Sequence, residues 1–370
     1  MQLVQATRDA LLKPLMTVAG IVERRNTLPI LANILMRKEG QGVAFIATDL
    51  EVQITTHAEF GVGADAAATT VAARKLLDIL RALPDTGEVK LALQGGGRLS
   101  VQSGKSRFAL QTLDAAEYPA LAVPDQWDVS FSLTQKALKH LFNQVHFAMA
   151  QQDIRYYLNG LLFVFEPGMV RAVATDGHRL AHTATPVEGI ESRHDVIVPR
   201  KTVLEMQRLL ADTEDLVQSD VSSTQIRFRF GEVELISKLV EGKFPDYTRV
   251  IPTNYTRHFL VNREALQGSL QRAAILTTDK LKGVRIQLSE NQLRISSSNA
   301  EQEEAVEEID IDYEHEPLDV GFNVSYLLDV LANVKTESLR WSVQPDVNAS
   351  ALLTTPDDDE FKYVVMPMRI

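Results

Sequence analysis

Apolar positions along this chain follow two different spacings, and the alternation between them repeats. In "TRDALLKPLMTVAGIV" (7–22) a polar start is followed by apolar residues three and four apart, the stripe of an amphipathic helix. The pattern returns in "LTQKALKHLFNQVHFAM" (133–149) and "VNREALQGSLQRAAIL" (261–276). Leu11, Leu138 and Leu266 correspond, at intervals of 127 and 128 residues. A second helix recurs as "ARKLLDILRAL" (73–83), "PRKTVLEMQRLL" (199–210) and "NVSYLLDVLANV" (323–334), with Arg74, Arg200 and Val324 in correspondence. Two tails match as well: "RFALQTLDAAEYPAL" (107–121) and "VELISKLVEGKFPDY" (233–247). Between the helices, segments such as "GVAFIATDLEVQITTHAEF" (42–60), "GEVKLALQGGGRLSVQSG" (87–104) and "NQLRISSSNAEQEEAVEEIDID" (291–312) alternate apolar with polar residues. That is the signature of half-buried antiparallel strands.

The repeat predicts three copies of one module of about 125 residues. Turn-rich "VPDQWD" (123–128) and "IPTNYTRH" (251–258) place the modules at 1–125, 126–253 and 254–370. Each module is expected to be an α+β unit, two helices packed on antiparallel sheet.

Composition narrows the class. A chain of 370 residues, 45% hydrophobic and 24% charged, reads as a soluble multidomain protein. No apolar run reaches the roughly 18–20 residues of a membrane span, and Asp9 interrupts any signal-peptide core. The absence of cysteine removes disulfides and thiolate sites, and suits a reducing cytoplasm. The net charge of −11 argues against a nucleic-acid partner until it is mapped. The first module balances 13 basic against 13 acidic residues, the second 14 against 16, the third 11 against 20. The excess acid therefore sits almost entirely in the last third, which leaves the rest free to present a basic surface.

The densest chemistry is "ATDGHRLAH" (174–182), with Asp176, His178, Arg179 and His182 in close succession. The repeat favours a structural origin. "ATDL" (47–50) stands at the same place in the first module and "SSNA" (297–300) in the third, so the acidic position belongs to a turn between strands. No Ser or Thr nucleophile or oxyanion-hole motif accompanies it, and no catalytic residue is assigned. "SGKS" (103–106) lacks the earlier glycine of a phosphate loop, Leu99 standing there, and reads with "GGG" (95–97) as a hairpin turn. His178 and His182, or His140 and His146 on a helix, lack a third ligand motif; no metal or cofactor is expected. The acidic alternation 301–316 reads alone as a solvated strand edge. What resists a bland reading is basic character repeated on equivalent helices: Arg74, Lys75 and Arg81, then Arg200, Lys201 and Arg208, with Lys136 and Lys139. A basic stripe of that kind tracks phosphates without reading bases. The residues alone still leave open a non-DNA interaction scaffold, or a hydrolase built on Asp176 and His178.

A set of longer stretches decides among these. "TLPILANILM" (27–36), "IRYYLNGLLF" (154–163), "VRAVATDGHRLA" (170–181), "VIVPRK" (196–201), "SKLVEGKFPDY" (237–247), "GFNVSYLLDVL" (321–331) and "YVVMPMRI" (363–370) together resemble the β sliding clamp family, the β subunit of bacterial replicative DNA polymerase III, from end to end. The resemblance implies a non-enzymatic processivity factor. Two chains would join head to tail into a ring of six pseudo-equivalent domains around duplex DNA, loaded by a separate ATP-driven loader. For the dimer interface it points to Lys75, Lys105, Arg107, Phe108 and Leu110 against Ile275, Leu276, Glu301, Glu303, Glu304 and Glu307. For sequence-independent DNA contact it implies Arg25, Arg74, Lys75, Arg81, Gln152, Tyr156, Tyr157, Arg200 and Lys201. It further implies a hydrophobic pocket for short linear motifs of the replicative polymerase, the clamp loader, other polymerases and repair proteins. Carried over by position, that pocket is Leu158, Thr175, Gly177, His178, Arg179, Leu180, Pro245, Arg249, Val250, Ser350, Val364, Val365, Met366, Pro367, Met368 and Arg369, edged by Asn323 and Tyr326. Leu180 and Val365 are expected to take apolar anchors, with His178 and Arg179 bonding polar groups of the peptide. A cytoplasmic location, on the nucleoid during replication, goes with that role.

Overall fold

A computed structural model describes residues 1–23, 27–278 and 282–370. Among these, the order strand, helix, four strands, helix, three strands occurs three times. The six helices are α1 (Arg8–Ala19), α2 (Ala73–Ala82), α3 (Gln135–Val145), α4 (Arg200–Leu209), α5 (Arg263–Ala274) and α6 (Val324–Asn333). Leu11, Leu138 and Leu266 are completely buried, each at the same place on the first helix of its module. On the second helices Leu77 and Leu80, Val203 and Met206, and Leu327 and Val330 are buried in the same way. The expected helix 133–149 is shorter than its apolar pattern: α3 stops at Val145, and His146 opens a separate 3-10 turn, His146–Ala148. No helix among the described residues is long and apolar enough to cross a membrane.

The chain packs into two compact units. The first comprises residues 1–135 and 208–239. It holds a twelve-stranded antiparallel sheet, against which α1 packs. The sequence-marked turns lie inside it as hairpins: Gly96 and Gly97 both have positive φ between Glu88–Gln94 and Arg98–Ser103, and Gly104 turns the chain into Ser106–Leu113. In this sheet Val52–Glu59 pairs with Val233–Lys238, in the register Ile54↔Leu235, so a strand from the first repeat continues directly into one from the second. Both of those side chains are fully buried.

The second unit comprises residues 136–207 and 240–370. It has an eight-stranded sheet and a four-stranded one. Its seam obeys the same rule: Arg179–Pro186 pairs with Asp358–Val365, in the register Leu180↔Val364. Buried Trp341 stacks on Phe259, ring centres 5.8 Å apart, and meets Phe322 edge-on to fill the core beneath α5 and α6.

Two of the strands with an open side are Ser106–Leu113 and Glu304–Asp310. Residues 106–111 of Ser106–Leu113 pair on one side only, since the neighbouring Ala67–Ala72 reaches just Thr112 and Leu113. Glu304–Asp310 ends the four-stranded sheet.

Candidate binding site

The cluster at 174–182 is first of all a turn. Asp176 Oδ1 accepts from the backbone N–H of His178 (2.9 Å) and Arg179 (3.1 Å), while Thr175 Oγ1 donates to the Arg179 carbonyl (2.6 Å). Asp49 Oδ1 does the same for Glu51 and Val52, and Thr48 Oγ1 donates to the Val52 carbonyl. In the third repeat Asn299 Oδ1 accepts from Glu303 N–H. The side-chain oxygen substitutes for a backbone acceptor in each case, which is why Asp or Asn recurs. Gly177 sits at φ +91°, and a Cβ there would lie 3.1 Å from the Arg155 guanidinium. Positive φ and that close neighbour together make glycine the fitting residue.

Leu180 follows the turn directly and pairs across the seam with Val364. Around them Leu158, Thr175, Gly177, Arg179, Phe244, Pro245, Tyr247, Val250, Met366 and Arg155 enclose a cavity of about 210 Å³. Its floor is an apolar cluster of Leu158, Leu180, Val364, Phe244 and Tyr247. The volume is below the roughly 300–1,000 Å³ of sites that take whole small molecules, and matches one or two apolar side chains.

The carried-over pocket set therefore divides. Ser350, Pro367, Met368 and Arg369 line a neighbouring, wider cavity of about 860 Å³ with Arg285, Asp319 and Gly321, and Met366 belongs to both. The tail is pinned between the two, because Met366 N–H donates to the His178 carbonyl (2.9 Å) and Met368 N–H to the Gly321 carbonyl (2.8 Å). Val365 lines neither cavity and is fully buried. Strand side chains alternate faces, so a wall built of Val364 and Met366 turns Val365 to the other side. Asn323 is occupied as the N-cap of α6, accepting from Ser325 N–H. Arg249 is exposed and pairs with Asp246 at 3.0 Å. Arg155, Phe244 and Tyr247 line the pocket without having been picked out. Phe244 carried a signal, since it matched Tyr118 in the repeat, where Tyr118 is also buried.

Arg179 departs most from its expected part. Its side chain is only 9% exposed. Nε donates to Asp176 (3.1 Å), Nη1 to Asp329 (2.5 Å) and Nη2 to the Phe147 carbonyl (2.7 Å), and the guanidinium lies 4.4 Å from the Tyr326 ring centre. Burial works against the charge, yet the Tyr363 hydroxyl and the Asp329 and Asp176 carboxylates hold its pKa above the ordinary arginine value. With every nitrogen engaged internally, the guanidinium acts as wall and brace. His178 stacks on the other aromatic neighbour it shares, Tyr326, at 6.5 Å. On the rim, Asp153 binds Arg155 through both carboxylate oxygens, and those hydrogen bonds lower its pKa to about 2.

Comparison with known proteins agrees from one end to the other. The domain profiles of the DNA polymerase III beta subunit match in order, the N-terminal domain over 1–122, the central domain over 132–246 and the C-terminal domain over 248–369. The chain belongs to this family, the β sliding clamps of DNA replication. It is 46% identical to the β sliding clamp of Pseudomonas putida over 365 residues, 98% of both chains, and 43% identical to that of Escherichia coli with the same coverage. Among solved structures, the DNA polymerase sliding clamp of Pseudomonas aeruginosa superposes with a TM-score of 0.94 at 44% identity, covering 100% of each chain. The β sliding clamp of Caulobacter crescentus gives 0.94 at 37%, covering 100% of this chain and 99% of its own.

The remaining family positions fall on distinct surfaces. Arg74, Lys75 and Arg81 are exposed on α2, opposite buried Leu76, Leu77 and Leu80. Arg200 and Lys201 are half-buried at the start of α4, and Arg200 Nη1 is buried with no hydrogen-bond partner. Arg208 is not a free phosphate ligand: it donates to the Met16 and Thr17 carbonyls at the end of α1. Such carbonyls at a helix C-terminus lack partners in the helix and favour a cation. Gln152 and Tyr156 are exposed and Tyr157 half-buried on the loop leading to the pocket. Arg25 lies outside the described residues. On the free edges Lys105, Arg107 and Phe108 are exposed and Leu110 half-buried; opposite in kind are exposed Glu301, Glu303, Glu304 and Ile275, with half-buried Leu276. Glu307 differs, being held by Arg272 at 2.6 Å and 2.9 Å.

Proposed function

We propose that two copies of this clamp chain close head to tail into a ring by pairing Ser106–Leu113 of one copy with Glu304–Asp310 of the other. The observation that carries this is the seam rule. In the first unit the last strand of the second module pairs with the third strand after the first module's helix; in the second unit the third and second modules do likewise. Applied once more, the rule calls for Ser106–Leu113 beside Glu304–Asp310, and each of these has an open side. An open strand edge is a template for another chain. Here the edges differ in sign, Lys105 and Arg107 against Glu301, Glu303 and Glu304, with Phe108, Leu110, Ile275 and Leu276 as apolar contacts. Two unlike surfaces make a heterologous interface, which closes into a ring when the rotation permits. Glu307 serves by fixing Arg272 in its own chain.

Residues 1–125, 126–253 and 254–370 are then three equivalent arcs of the ring. Duplex DNA passes through it without being read. Arg74, Lys75, Arg81, Arg200 and Lys201 supply phosphate contact, and Gln152, Tyr156 and Tyr157 touch the backbone or a single-stranded end. The 210 Å³ cavity takes the apolar anchors of a linear motif from a polymerase, a loader subunit or a repair protein in the cytoplasm, and the wider cavity takes the residues beyond. Tethering then acts by effective concentration, since a held polymerase rebinds DNA before it diffuses away.

The test is topological. The protein is loaded with a clamp loader and ATP onto nicked circular DNA, half the sample is linearised, and both halves are gel-filtered in high salt. Retention on circles with loss from linear DNA is expected. Equal behaviour on both would overturn the ring.

A further inference from the structure

We propose that Asp329, on α6, is a positioning residue of the docking pocket: it clamps Arg179 against the pocket wall and so holds the turn 175–179 in its ligand-receiving shape. This rests on the docking role proposed above. The turn belongs to the second repeat and α6 to the third, and both lie in the same compact unit. Two residues one helical turn apart on α6 grip the same guanidinium. Asp329 takes Nη1 at 2.5 Å, and Tyr326 lies under it at 4.4 Å while also stacking on His178. Residues three apart share a helix face, so the grip is set by the helix and not by a mobile loop.

The charge balance around Arg179 shows why Asp329 matters. A second cation, Arg200, is close enough for the two guanidiniums to repel each other, and Arg200 Nη1 is buried without a partner. The carboxylates beside Arg179 are Asp176 and Asp329. Asp176 is already committed to the turn, with Oδ1 on two backbone N–H groups and Oδ2 on Arg179 Nε. Without Asp329, the only carboxylate oxygen among the described residues left on the 9% exposed Arg179 is Asp176 Oδ2, with the Arg200 guanidinium repelling it from nearby. A buried cation in that position moves toward water. Leu180 follows Arg179 in the strand and forms the pocket floor, so the displacement is felt where an anchor would sit. Asp329 is itself 43% exposed, which moderates the effect.

The experiment titrates a fluorescein-labelled linear peptide with leucine and phenylalanine as its two apolar anchors, read by anisotropy. Asp329→Asn is expected to weaken binding about tenfold and Asp329→Glu by no more than about threefold. Dimer assembly should match the wild type in both variants, and Asp329→Glu should keep the wild-type melting temperature. In an Arg179→Met background, Asp329→Asn should add nothing, because the residue acts through Arg179. Hydrogen exchange supplies a readout independent of peptide: the His178 and Arg179 amides, both bonded to Asp176, should exchange faster in Asp329→Asn. Unchanged affinity with unchanged exchange would overturn the proposal, as would an equal loss in the Arg179→Met background. A wild type that fails to bind the peptide would overturn the docking role, while exchange at the two amides would still decide whether Asp329 holds the turn.

Discussion

Mild acid should destabilise the second compact unit through three histidines. His140, His146 and His182 all lie in it, and burial lowers the pKa of each. His146 Nδ1 contacts the Phe142 carbonyl at 3.1 Å and His182 Nδ1 the Glu360 carbonyl at 2.9 Å, so both rings donate there in neutral form. The sign follows from linkage. The unfolded chain takes up protons around pH 6.5, the folded one only at lower pH, so stability falls as pH drops from about 6.5 toward the folded pKa values. One histidine that stays neutral in the folded state loses about 1.4 kcal/mol between pH 7.5 and 5.5, and three lose at most about 4 kcal/mol. Asp153, titrating near 2, takes no part in that window. The chain has two tryptophans, and Trp341 is buried in this unit. Urea unfolding of a Trp127→Phe variant, followed by Trp341 fluorescence, therefore reports on it alone. The midpoint should fall between pH 7.5 and 5.5, and His182→Gln should reduce the fall by about a third. Identical midpoints at the two pH values would refute the reasoning.

Two further predictions concern stability and the tail. Asp220 receives Ser130 on one oxygen and Arg227 and Arg229 on the other, so Asp220→Ala should cost the first unit about 3 kcal/mol, read from its hydrogen-exchange free energies. A loss under about 0.5 kcal/mol would mean the cluster is mere surface. At Gly321 a Cβ would lie 2.5 Å from the Met368 carbonyl oxygen and from Ile370 Cγ1. Gly321→Ala should therefore unseat the tail, and the Met368 amide, which donates to Gly321, should lose about 1 kcal/mol of exchange protection; full protection would show that the tail accommodates the methyl.

Helix faces and hairpins could be read from residue order because each depends on neighbours within a few positions, and the threefold repeat because those local patterns recur along the chain. Leu11, Leu138 and Leu266 are buried for the same local reason, and the Asp49, Asp176 and Asn299 turns show that the acidic position of "ATDGH" serves the backbone. Of the positions that resemblance assigned to the pocket, Leu158, Leu180, Pro245, Val250, Val364 and Met366 line the 210 Å³ cavity. It could not separate Val364 from Val365, because adjacent strand residues look alike in sequence and only the pleat sends them to opposite faces. Arg179 has the composition of a ligand donor, but its donors go to Asp329 and the Phe147 carbonyl, contacts 150 and 32 positions away that no local pattern encodes. Glu307 looks like its acidic neighbours until Arg272 is found holding it. Residue order thus determined the modules, their secondary structure and their charge. Long-range pairing decided which strands lack a neighbour, which faces form the pocket and which charges are already neutralised, because those depend on partners that only folding brings together.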